Sequence, residues 1–113
     1  MTDLVARMRV ALREAMLARD RAAVDAIRSA LSAIDNAGAV PAPDLGLAIE
    51  EAAIGAGSAD VARRELDDGD AEAIVQAEIS ELEAAASRYE ELGETDRAGR
   101  LRSGARALRA LLG

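Results

Sequence analysis

Arginine carries all of the side-chain positive charge in this chain. Fourteen arginines stand against 21 acids, and lysine, histidine and cysteine are absent. The missing types narrow the chemistry. Without cysteine there is no thiol nucleophile, thiolate metal site or disulfide frame. Without histidine the commonest general base near neutral pH and the commonest metal ligand are gone. No pair of residues offers a nucleophile with its base, so the expectation is a protein that is not an enzyme and uses no cofactor and no metal. What remains is the planar guanidinium, which matches phosphate and carboxylate oxygens in pairs. The candidates for such contacts are Arg19, Arg28, Arg63 and Arg64, which lie outside the acidic third helix described below. The use of arginine alone reads as coding bias rather than as selection for that recognition.

Three other features suggest chemistry and are assigned plainer roles. Glu72, Glu78, Glu81, Glu83 and Glu90 could attract a divalent cation, but no Asp/Gly-rich loop accompanies them, and an arginine-paired flank is the simpler reading. Gly55-Ala56-Gly57 lacks the preceding strand and the following Lys-Ser/Thr of a phosphate-binding loop. Tyr89 is the only aromatic residue. It could stack on a base, yet its place on an apolar stripe favours packing.

The elements that must position these groups are helices. Alanine, the strongest helix former, occurs 28 times among 113 residues, and β-branched residues neither cluster nor alternate. Val5, Met8, Leu12, Ala15 and Met16 predict a first helix over 3–19. Asp20 can cap a second, in which Val24, Ile27, Leu31 and Ile34 recur at helical spacing until Asn36-Ala37-Gly38; the alternative is one continuous helix over 3–36, since neither Gly nor Pro interrupts 18–22. Pro41, Pro43, Gly46, Gly55 and Gly57 interrupt residues 37–65, with a short helical turn expected at Leu47–Ile54. Asp67 or Asp68 can cap a third helix bearing Val75, Ile79, Leu82, Ala86 and Tyr89, which stops at Gly93. A fourth begins near Thr95 or Asp96 and carries Ala98, Leu101, Ala105, Leu108 and Leu112. Gly104 borders that last stripe, where it permits close backbone approach; Gly99 points outward.

Charge follows this division. Residues 1–36 hold six arginines and five acids, residues 37–94 three arginines and fifteen acids, and residues 95–113 five arginines and one acid. Both flanks of the third helix are acidic. Both flanks of the fourth are basic, with Arg102, Arg106 and Arg109 on one side and Arg97 and Arg100 on the other. That pattern predicts an antiparallel hairpin with ion pairs along both seams. The expected architecture is a single all-α, four-helix domain of two antiparallel helical hairpins joined by the long Gly/Pro-containing connection. No segment approaches the about 18 apolar residues of a membrane span, and no apolar leader opens the chain, so a cytoplasmic protein without membrane contact is expected. A net charge of −7 disfavours DNA as a partner.

The quoted residues also carry a family likeness. Ala18-Arg19-Asp20, followed by Ile27-Arg28-Ser29-Ala30-Leu31-Ser32-Ala33-Ile34-Asp35-Asn36, resembles the opening signature of the YqeY-like proteins. Their domain is shared with the tail of the B subunit of glutamine-dependent tRNA amidotransferases. Arg63-Arg64-Glu65-Leu66, Ala77-Glu78, the turn Tyr89-Glu90-Glu91-Leu92-Gly93-Glu94-Thr95-Asp96 and the closing Leu108-Arg109-Ala110-Leu111-Leu112 are similar to later segments of that family. The resemblance spans the chain apart from about residues 40–60. It implies an all-α domain that is accessory to tRNA-dependent amidation, with tRNA or an amidotransferase-type complex as partner and no catalysis of its own. The family commonly continues into a second small helical domain, which is expected to be absent after Gly113. Ser80-Glu81-Leu82-Glu83 stands where the family is rich in Arg and Lys, and Glu94 replaces the usual basic residue of the turn. The competing expectation is a protein-binding or self-associating helical module, a homodimer, with no RNA role.

Overall fold

The computed structural model describes residues 3–39 and 66–113. The described residues form four helices: α1 (Asp3–Ala18), α2 (Arg21–Gly38), α3 (Asp68–Glu91) and α4 (Thr95–Leu112). The all-α architecture is therefore as expected, and short turns join α1 to α2 and α3 to α4. Arg63, Arg64 and the helical turn expected at Leu47–Ile54 lie outside the described residues.

Both turns close in the same way. At the first, the Asp20 amide donates to the Ala15 carbonyl (2.9 Å) and the Arg19 amide to the Met16 carbonyl (3.1 Å). At the second, the Glu94 amide donates to Tyr89 (2.9 Å) and the Gly93 amide to Glu90 (3.0 Å). This is the Schellman arrangement, which satisfies the last carbonyls of a helix through one residue in the left-handed region. Gly93 fills that place with φ +83. In the first turn the place falls to Arg19, with φ 60. A side chain there is strained because its Cβ crowds the following carbonyl. Arg19→Gly should therefore raise stability by about 0.5–1 kcal/mol, measured by urea unfolding. A loss of stability would mean that the arginine side chain holds the turn in place.

Side-chain caps start the next helices. Asp20 accepts from the Ala23 amide (3.2 Å). Asp67 and Asp70 form a reciprocal capping box, with amide-to-carboxylate distances of 2.8 and 3.3 Å. Glu94, at the corresponding position of α4, makes no such bond.

Leu4, Met8, Val75 and Leu108 are the largest fully buried side chains, and alanines fill the space between them. Helix α2 departs from its expected stripe. Ala23, Ala26, Ile27, Ala30 and Ile34 are buried, whereas Val24 and Leu31 are only half-buried. The face that turns inward is the alanine face, because it lets α2 approach α4 closely. A Cβ built on Gly104 would lie 3.0 Å from the Ala26 Cβ and 3.2 Å from the Ala22 carbonyl oxygen. Met16 also departs from expectation. It sits on the edge of the α1 stripe and is 49% exposed.

Candidate functional site: an arginine-lined groove

The acidic and basic helices pair along one seam only. Arg102 meets Glu90 at 2.6 Å, and Arg109 pairs with Glu83. Arg106, expected to join them, makes no ion pair among the described residues. The other seam is not an ion-pair ladder, because α2 packs against α3 and α4 there. Glu78 turns to α2 and accepts a hydrogen bond from the Ser29 hydroxyl (2.9 Å). Arg97 and Arg100 are left on the rim of a groove. The seam that does form is half-exposed, so each pair contributes little. Reversing Arg102 and Arg109 to Glu should lower stability by about 1 kcal/mol at low salt, and by less in 0.5 M salt as screening grows. Arg106→Glu is the control. An equal loss from that control would show that the effect is general charge balance rather than pairing.

The groove has a volume of about 770 Å³ and lies where α2, α3 and α4 meet. Arg21, Ala22, Asp25, Ala26 and Ser29 line it from α2. Leu82 and Tyr89 come from α3, and Arg97, Arg100, Leu101 and Gly104 from α4. Its floor is apolar and made largely of small residues. Its rim carries three guanidinium groups against one carboxylate. Tyr89 is half-buried rather than fully packed in the core, and the Arg97 guanidinium lies 4.9 Å from the ring centroid. Among the described residues Arg97 also pairs with Glu94, at 3.9 Å, with both side chains about half exposed.

Beside the groove is a shallower depression of about 390 Å³. Met16 and Arg19 enter it from the end of α1, and Arg21, Val24, Asp25 and Arg28 from α2. The structure thus brings Arg19 and Arg28 together on one surface. Arg21 and Asp25 border both hollows, so the basic surface runs on into the groove. On α1 and α4, Arg7 donates to the Leu111 carbonyl (3.0 Å), which ties the first helix to the last. That contact occupies a carbonyl at the negative end of the α4 dipole. Among the described residues no three carboxylates converge closely enough to hold a metal ion, and no helix is long and apolar enough to cross a membrane.

Arg21, Arg97 and Arg100 were not among the sequence candidates. The charge pattern places Arg97 and Arg100 on the second ion-pair seam, and nothing in the sequence singles out Arg21. A signal for the groove was nonetheless present. Arg97, Arg100 and Gly104 recur at three and four residues, so they share one flank of α4. A glycine suited to close approach on that flank marks the side that another helix covers. Compared with protein families, curated proteins and solved structures, the chain matches none.

Proposed function

We propose that this chain is a non-catalytic, YqeY-like helical interaction module that engages an RNA of the tRNA class, as an accessory to tRNA-dependent amidation in the cytoplasm. The observation that carries the RNA reading is the convergence of Arg19, Arg21 and Arg28 on one surface continuous with the Arg97/Arg100 rim. A cluster of guanidinium groups is suited to paired contacts with phosphate oxygens. The remainder of the chain is strongly acidic, so binding is confined to this surface and orients the RNA upon it. The YqeY-like assignment rests on the residue resemblance, and the tie to amidation rests on that assignment.

The test is a titration with tRNA, followed by fluorescence anisotropy at 50 and 200 mM salt. Binding should weaken steeply with salt, because each neutralised phosphate releases counterions. The Arg19→Gln/Arg28→Gln variant should bind more weakly and show a shallower salt dependence. No binding at 50 mM salt would overturn the proposal.

A second reading has its own support on α1. Val10 and Leu17, seven residues apart on one face, are 45% and 85% exposed, and the neighbouring Met16 is 49% exposed. Apolar exposure of this kind favours self-association through α1. Light scattering on the eluted protein would give a dimeric mass that Leu17→Glu returns to the monomer. A monomeric mass at all concentrations would remove this reading.

A further inference from the structure

We infer that the groove between α2, α3 and α4 is a nucleotide-binding site: Tyr89 stacks on the base while Arg21 and Arg100 hold the phosphate. This deepens the RNA reading above and rests on it for the source of the nucleotide in the cell. The groove itself is argued from its own chemistry.

Its volume of about 770 Å³ falls in the range of small-molecule sites. Among the described residues Arg97, Arg102 and Arg109 make ion pairs, with Glu94, Glu90 and Glu83. Arg21 and Arg100 make no ion pair among the described residues, although both border the same hollow. Unpaired guanidinium groups on opposite sides of a groove suit a compact anion with several oxygens, and phosphate is such an anion.

The rest of the lining points to the rest of the ligand. Tyr89 brings a half-buried ring to a groove that Ala22, Ala26, Leu82, Leu101 and Gly104 also line. The Arg97 guanidinium lies over the ring, 4.9 Å from its centroid. An exposed cation–π contact is weaker than a base stacked on an aromatic ring, so a base can take the guanidinium's place. Arg97 then moves towards the phosphate side, where it adds a third donor. Asp25 supplies an acceptor on the α2 side of the groove, within the same lining, for a ribose hydroxyl or an exocyclic amino group. A free anion would need no ring wall, and an apolar ligand would leave Arg21 and Arg100 without a use. A nucleotide uses both.

The chain supplies its own reporter. Tyr89 is the only aromatic residue, and histidine, phenylalanine and tryptophan are absent. Its ring protons are therefore the only side-chain signals of their kind in a proton NMR spectrum. The experiment titrates AMP, adenosine, inorganic phosphate and a short single-stranded RNA into the protein at low salt. AMP should move the Tyr89 ring signals upfield with saturation. Adenosine and phosphate, each with half of the ligand, should bind at least tenfold more weakly. Arg21→Gln/Arg100→Gln should weaken AMP at least tenfold while leaving the circular dichroism spectrum unchanged. If the RNA produces the same upfield shift at lower concentration than AMP, the source is an unpaired nucleotide of RNA; if AMP is the tighter, it is a free nucleotide. Either result supports the site. No saturable shift with AMP or RNA, or equal binding by phosphate alone, or an unaffected Arg21→Gln/Arg100→Gln variant, would overturn it. Failure here with tRNA still bound leaves the broader reading standing. A Tyr89 shift with AMP but no tRNA binding does the reverse.

Discussion

Leu108→Ala should lower the free energy of unfolding by about 3 kcal/mol, the largest effect expected of any single substitution considered. Leu108 is completely buried near the C-terminal end of α4 and belongs to the same core cluster as Met8, Val75 and Ile79. Truncation removes three carbons from a core that has few large side chains to begin with. Leu4, Met8, Val75 and Leu108 are its largest fully buried members, and most of their neighbours are alanines. Alanine has no rotamer with which to fill a hole, so the cavity stays open and its cost adds to the lost transfer energy. Urea unfolding followed by circular dichroism should show a lower midpoint with an unchanged slope. A loss under about 1 kcal/mol would mean that the helices close over the gap.

The glycines of α4 give the second large effect, and they give it with opposite signs. Gly104→Leu should cost about 1 kcal/mol net: overpacking costs about 1–3 kcal/mol, against a helix-propensity gain of about 1 kcal/mol. The steric part is fixed by the 3.0 Å and 3.2 Å approaches to Ala26 and the Ala22 carbonyl, one of which is backbone and cannot swing aside. Gly99, one and a half turns earlier, faces open space, with no atom within 4 Å of a Cβ placed on it. Gly99→Ala should therefore raise stability by about 0.5–1 kcal/mol. The two substitutions share a helix and a starting residue, so their difference isolates packing from propensity. If Gly104→Leu were neutral, the close crossing of α2 over α4 would be wrong. The same variant would also push the groove floor outward, and nucleotide or RNA binding should fall with it.

The hydrophobic spacing made the four helices and both turns legible. Asp20, Asp67 and Gly93 act at the boundaries as their types predict. Two features were harder to read, for the same physical reason. A pattern built on large apolar residues ranks Val24 and Leu31 above Ala23, Ala26 and Ala30. In an alanine-rich chain the closest packing is made by the smallest side chains, and the buried face of α2 rotates accordingly. The charge pattern of α3 and α4 likewise described the pair in isolation. It anticipated a seam along Arg102, Arg106 and Arg109, which forms as Arg102–Glu90 and Arg109–Glu83 on the solvent side without Arg106, and it mispaired the seam that a third helix covers. Arg97 and Arg100 could be placed only once α2 was in position. Arg19 and Arg28 fall together because one ends the turn between α1 and α2 and the other lies on the first turns of α2, a proximity that their separation in sequence does not reveal.

The distribution of contacts has a kinetic consequence. The most extensive interface joins α3 to α4, neighbours along the chain, whereas α1 touches α3 and α4 least. Closing the α3–α4 turn costs little chain entropy and is rewarded at once, while docking α1 must wait for distant partners. The α3–α4 hairpin should therefore form the folding nucleus. Leu108→Ala should then act mainly by slowing refolding, and Met8→Ala, in α1, mainly by speeding unfolding. Stopped-flow chevrons of the two variants would resolve the order, and the reverse assignment would place the nucleus in the first half of the chain.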